Sequence, residues 1–184
     1  MRYAIVAVDY FTKWVEAEPL ATITEAKTSN FLWRNVICRF GIPYAIVTDN
    51  GRQFDNTKFR AMCHQLGIKN FFSSPAHPQA NGQVESINKI IKKNIKSKLD
   101  AHKGSWVEEL PKVLWAYRTT ARTSTGETPF SLAFGVEAIV PVEVGIPSFR
   151  VDQFRPEDNE AQLRMHLDLL EERRHTASLR IAAY

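Results

Sequence analysis

Two carboxylates constrain this chain more than any other feature: Asp49, in Thr48-Asp49-Asn50-Gly51, and Glu85, in Gly82-Gln83-Val84-Glu85-Ser86, with 35 residues between them. Asp49 ends a short apolar run, Tyr44 to Thr48, that reads as a strand. Glu85 opens a long amphipathic stretch that reads as a helix. In open α/β sheets ligands gather at the carboxyl ends of strands. A strand end and a helix start can converge at such an edge, where paired carboxylates offer the oxygen ligands that a hard divalent cation requires. Each acid alone has an ordinary explanation. Asp-Asn-Gly is a favoured tight turn, and an acid in the first turn of a helix is stabilised by the dipole there by roughly 0.3 to 1 kcal/mol. The pair, more than either residue, points to metal-assisted chemistry.

The class of protein follows from composition. A chain of 184 residues, 44% hydrophobic and 24% charged, can bury one core, and it reads as a main domain with a tail. The formal charge of +4 suits a polyanionic partner. Cys38 and Cys63 have neither CxxC nor Cys/His spacing, so a disulfide framework or a structural zinc site is not expected and both thiols read as reduced. No apolar run approaches the ~20 residues needed to span a bilayer, and the N-terminus lacks the organisation of a signal peptide. A membrane partner is not expected.

Arg2 to Val8 is apolar on both alternating faces and reads as an interior strand covered above and below. Lys13 to Glu18 alternates polar and apolar, which predicts the outer strand of an antiparallel hairpin with one wetter face. Thr22-Ile23-Thr24-Glu25 has capping-box spacing, and Leu32, Val36, Ile37 and Phe40 recur at helical spacing until Gly41 and Pro43. Beyond the short buried strand ending at Asp49, a helix with Phe59, Met62, Cys63 and Leu66 on one face stops at Gly67, and Ile68 to Ser73 reads as the last strand. Turn-rich Ser74 to Gly82 leads into a helix from about Gln83 to His102. Further helices are expected at Ser105 to Thr119, Pro129 to Phe134 and from Pro156 onward, the last with Leu163, Leu167 and Leu170 on one side. The division expected is a core of residues 1–139 and a connector with a terminal helix, 140–184.

On the long helix Ile87, Ile90, Ile91, Ile95 and Leu99 form an apolar stripe. Glu85, Lys89, Lys92 and Lys96 share the opposite side, with Lys93 at its flank. Such a ladder is most often a solvated face. Here the acid at its head gives it a second meaning, because a phosphodiester reaching Glu85 would run along the lysines, each able to neutralise one phosphate. His77 and Asn81, in the approach to Glu85, are ordinary turn or capping residues that could also touch a strand end.

These residues carry a resemblance. Val6-Ala7-Val8-Asp9-Tyr10-Phe11-Thr12-Lys13-Trp14-Val15-Glu16-Ala17, the Asp49 turn, Ser74 to Lys89, Leu114-Trp115-Ala116-Tyr117-Arg118-Thr119-Thr120 and Thr125-Gly126-Glu127-Thr128-Pro129-Phe130 together resemble the integrase region of a plant gypsy-type LTR retrotransposon polyprotein. The resemblance implies a ribonuclease H-like α/β fold, a mixed five-stranded sheet flanked by helices, and a D, D, E triad holding two Mg²⁺ or Mn²⁺ ions. Asp49 matches the second member of the triad and Glu85 the third. The first lies, in that family, on a central strand preceding the one that begins here, so the chain is expected to lack that strand. Asp9 matches a position that is not a ligand and is expected to turn the hairpin.

The implied activity is DNA integration, by trimming of the element's ends and strand transfer to target DNA in the nucleus. By resemblance Arg52 faces target DNA, while Asn81, Lys89 and Lys92 hold the element's own end, and a homo-oligomer is implied. The family's zinc module and its later chromatin-reading module are not found, so the chain reads as a piece of a polyprotein, inactive alone for want of one carboxylate. Two alternatives stay open: a bacterial-type DDE transposase, against which the segments after Trp106 argue, and a non-catalytic nucleic-acid-binding remnant.

Overall fold

The computed structural model describes residues 1–73, 82–101, 105–139 and 152–184. The chain runs β1 (Tyr3–Val8), β2 (Val15–Leu20), α1 (Glu25–Phe31), a π-helical stretch (Leu32–Ile37), α2 (Cys38–Phe40), β3 (Ala45–Thr48), α3 (Thr57–Gln65) and β4 (Lys69–Phe72). It continues with α4 (Gly82–Ala101), α5 (Trp106–Arg118), α6 (Pro129–Phe134), α7 (Pro156–Asp168) and α8 (Leu170–Ala183). Two compact units result, one of residues 1–8 with 15–114 and one of residues 9–14 with 115–184. No helix among the described residues is long and apolar enough to cross a membrane.

In the first unit β1 and β2 pair antiparallel from Tyr3 opposite Leu20 to Val8 opposite Val15. β3 and β4 pair parallel, Ala45 opposite Lys69 through Thr48 opposite Phe72, with α3 as the crossover that a parallel pair requires. Among the described residues no ladder joins the two pairs. The five-stranded sheet expected from the sequence is thus present as its two flanking pairs, with β1 and β3 each paired on one side.

That arrangement corrects two expectations. β1 is not covered on both faces: Tyr3 and Ala4 are exposed and Ile5 to Val8 half-buried. β2, expected to be the wetter strand, is the better buried. Its acids explain the inversion, because Glu16 takes an ion pair from Arg39 Nη1 at 2.7 Å and Glu18 Oε2 accepts from Asn35 Nδ2 at 3.0 Å. The helical segment therefore covers the polar side of β2 with matching partners.

Helix α1 is capped by Thr24, whose Oγ1 accepts from Lys27 N; Thr22 instead takes the Lys27 ammonium at 2.7 Å. The wide π turn that follows, in which Cys38 N–H reaches Trp33 O, holds both Leu32 and Ile37 in the core but turns Phe40 out, 45% exposed. The sequence pattern had placed Phe40 with the buried residues, and the extra residue in the turn rotates it away. Leu32, Ile37, Phe59, Cys63 and Ile68 make the buried cluster, with Ile46 and Phe54 packed against it. β3 is less buried than expected, with Val47 45% exposed. α4 lies against β1 with Ile87 and Ile91 inward, while Ile90 of the expected stripe is 36% exposed.

In the second unit Asp9 Oδ2 accepts from Thr12 N and Thr12 Oγ1, at 2.8 and 2.6 Å, the turn-forming role expected for it. The turn also drives Lys13 into the left-handed region at φ 62°. Trp14 then meets Phe134 edge-on at 5.3 Å, and Phe130 packs against Trp14, Trp115 and Phe134. α8 is strapped to α6 by arginines: Arg173 donates to Gly135 O and Arg174 to Leu132 O, carbonyls that the end of a helix leaves without partners. The expected leucine stripe is corrected as well. Leu163 and Leu167 on α7 are exposed, and the buried contacts belong to Leu170 and Ala177 on α8, because the helix breaks at Leu169.

Candidate metal and nucleic-acid site

Asp49 follows β3 directly, at its carboxyl end. Its Oδ1 accepts the Gly51 N–H at 2.9 Å, so the side chain closes the turn that Asp-Asn-Gly favours while its other oxygen stays available. The loop beyond folds back on Gly51, whose carbonyl accepts from Phe54 N and Asp55 N, each at 2.9 Å. Asn56 locks it: Nδ2 donates to Arg52 O and Gln53 O at 2.9 and 3.1 Å, and Oδ1 caps α3 through Phe59 N at 2.9 Å. Arg52 is exposed on this fixed loop. Asn56 was missed in the sequence, although an Asn just before a helical pattern is a legible N-cap.

Glu85 is exposed in the first turn of α4, and Lys89, Lys92, Lys93 and Lys96 are exposed along the same helix. Among the described residues none of these four lysines is in an ion pair. Their charge is therefore free for an external anion. His77 and Asn81 lie outside the described residues.

The chemistry of the donors suits a hard divalent ion. Asp49 and Glu85 supply carboxylates. Thr48 Oγ1 and Gln83 Oε1, close to them in the chain, are buried without a hydrogen-bond partner, as is the amide of Asn70 on β4. An unsatisfied buried polar group costs ~1 to 3 kcal/mol, so such groups call for a ligand or water. The set is short of acids: among the described residues no group of three or more His, Cys, Asp or Glu could hold a metal ion.

Comparison with known proteins bears on the fold that carries these residues. Residues 1–78 match the integrase core domain family. The chain is 33% identical over 144 residues to the Gag-Pol polyprotein of avian reticuloendotheliosis virus, covering 78% of this chain and 12% of the polyprotein. It is 30% identical over 146 residues to the transposon Tf2-3 polyprotein of Schizosaccharomyces pombe, covering 78% of this chain and 11% of that one. The chain thus spans about an eighth of these curated relatives. Among solved structures, the simian T-cell lymphotropic virus intasome with a PP2A regulatory subunit gives a TM-score of 0.66 at 25% identity, covering 75% of this chain and 50% of that one. The HTLV-2 integrase catalytic core in complex with magnesium gives 0.59 at 25% identity, covering 70% and 82%. The strand pairs, the helices around them and these matches lead to one conclusion: the fold is the ribonuclease H-like fold of integrase catalytic cores, and residues 1–78 are similar to the integrase core domain found in retroviral and LTR-retrotransposon polyproteins.

Proposed function

We propose that the chain is part of a plant gypsy-type LTR retrotransposon integrase that acts on DNA in the nucleus by end trimming and strand transfer. The observation that carries this is the placing of Asp49 at the carboxyl end of β3 and Glu85 in the first turn of α4, in a chain matching the integrase core domain. Asp49 and Glu85 would hold two of the sides of a Mg²⁺ or Mn²⁺ site, completed by a carboxylate on a fifth strand between β1 and β3. Two ions bound there would activate the attacking oxygen and offset charge on the leaving one.

The chain's own residues do the rest. Arg52, fixed by Asn56, meets target phosphates; His77 and Asn81 hold the strand end; Lys89, Lys92 and Lys96 follow the backbone beyond it. A homo-oligomer would bring two DNA ends together, as the intasome and the trimeric HTLV-2 core suggest by analogy. With one carboxylate short, residues 1–184 alone bind DNA without joining it. The absence of a three-acid cluster among the described residues favours, as a second reading, a non-catalytic nucleic-acid-binding role.

The test is Mn²⁺ titration followed by electron paramagnetic resonance, beside a strand-transfer assay. Weak Mn²⁺ binding lost in both Asp49→Asn and Glu85→Gln, with product appearing only when an upstream strand carrying an Asp is restored, is the expected result. Binding indifferent to both substitutions would return Asp49 to turn formation and Glu85 to helix stabilisation. Strand-transfer product from residues 1–184 alone would overturn the inactivity and force another carboxylate, such as Asp9, into the site.

A further inference from the structure

The two faces of the β3–β4 pair differ sharply within the first unit. On one, Ile46 packs against the buried cluster, Thr48 is buried, and the Arg60 guanidinium lies 5.2 Å from the centre of the Phe72 ring. On the other, Val47 and Phe71 stand directly opposite each other in the parallel register and are 45% and 52% exposed. Among the described residues no ring or cation lies against Phe71. This exposure does not depend on the fifth strand expected beside β3. A strand joins a sheet in its plane and leaves both faces as they were, and β3 stands between β4 and that edge.

Alternation carries the same face to Asp49. Side chains along a strand point up and down by turns, so positions 45, 47 and 49 share one face of β3, beside positions 69, 71 and 73 of β4. The pairing persists to the end of this series, where Ser73 N donates to Thr48 O at 2.8 Å. Phe71 is level with Val47, two residues and ~7 Å short of the level of Asp49. Lys69, exposed and level with Ala45, stands about as far to the other side, its ammonium 4.3 Å from the centre of the exposed Tyr44 ring. The order along the face is thus a cation, an open aromatic ring and a carboxylate.

That order fits a nucleotide. We propose that Phe71, with Val47 beside it, is a stacking platform for one unpaired nucleobase of a single-stranded DNA segment running from Lys69 toward Asp49. Stacking needs an open base face, which neighbouring bases cover in a duplex, so the platform selects unpaired DNA. Lys69 neutralises a phosphate on one side of the stacked base, and the phosphate on the other side is led toward Asp49. An apolar patch of two side chains between charged residues is too small for a stable protein interface. The proposal rests on the DNA reading of Asp49 and adds to it a contact with a base, which neither the carboxylates nor the lysines of α4 supply.

Anisotropy titrations of residues 1–184 with a labelled oligo-dT, and with a blunt duplex of the same length at the same salt, test it. Phe71→Ala should weaken oligo-dT binding at least about fivefold, the low end of what one stacked base contributes, and leave duplex binding unchanged. Phe71→Tyr should restore the parent affinity. Photocrosslinking decides on the parent alone even where Phe71→Ala fails to fold: an oligo-dT carrying one 5-iododeoxyuridine should crosslink to Phe71. A parent that binds neither DNA would overturn this proposal together with the DNA reading. Duplex binding beside oligo-dT binding that folded Phe71→Ala leaves intact, or a crosslink only at other residues, would overturn this proposal alone. A parent dimer in sedimentation velocity that Phe71→Ala dissociates would give the face to a second copy instead.

Discussion

Asp49 Oδ1 accepts the Gly51 N–H at 2.9 Å, and a Cβ placed on Gly51 would stand 2.7 Å from that same oxygen, while also meeting the Gln53 amide. Glycine is required here by close approach rather than by an unusual φ. Gly51→Ala should therefore turn the Asp49 carboxylate without changing its charge. We expect a loss of Mn²⁺ affinity of about tenfold, the scale of a disturbed supporting contact, with the loop still folded. Affinity equal to that of the parent in a calorimetric titration would show that the turn does not orient the carboxylate.

The exposed lysines of α4 make DNA binding a matter of counterion release. Each phosphate neutralised contributes roughly 0.9 to the slope of log K against log salt. Replacing Lys89, Lys92 and Lys96 by Ala should flatten that slope by at most about three units, with little dependence on DNA sequence. A fluorescence-anisotropy titration in which the slope is unchanged would return the ladder to a solvated face.

Asn56 joins the Arg52 loop to α3 with three hydrogen bonds. Asn56→Ala removes the cap and both loop contacts, and should cost about 1 to 2 kcal/mol in urea unfolding. Asn56→Asp retains the cap but not the amide donors, and should recover only part of that loss. A variant as stable as the parent would mean that the loop holds itself.

The two thiols should separate cleanly. Cys38 is exposed, whereas Cys63 is 1% exposed and its burial raises its pKa above the ordinary thiol value. In the native state at pH 8 one thiol should react promptly with a disulfide reagent and the second only on unfolding. A raised folded pKa contributes stability that is fully present below the ordinary thiol range and is lost as pH rises through the folded value. Tyr117 acts with the same sign, its burial raising the phenol against an opposing Arg122, while burial lowers the Lys13 pKa and works the other way. Urea unfolding should thus show stability falling above about pH 9, less steeply in Cys63→Ala. Two equally fast thiols would contradict the packing around Cys63.

Much of the local order was legible from residue patterns. Helical spacing located α3 through Phe59, Met62 and Cys63, and Gly67 marked its end because a residue at φ 69° is best supplied by glycine. The alternation of the first twenty residues located the hairpin, and Asp9 as its turn residue. What failed was any statement of which face is covered. Glu16 and Glu18 look solvated along the chain and are instead met by Arg39 and Asn35, some twenty residues away, while Phe40 obeys helical spacing and is turned outward by a single π turn.

The sequence by itself determined most of the elements, their order and the side-chain chemistry of Asp49, Glu85 and the lysines, because period, caps and side-chain type are properties of a few neighbouring residues. Only the tertiary structure decided that β2 is better buried than β1, that Glu16 and Glu18 meet Arg39 and Asn35, and that the strands stand as two unjoined pairs among the described residues. Each of these depends on where a backbone or side-chain group finds its partner, and partners distant in the chain leave no periodic mark upon it.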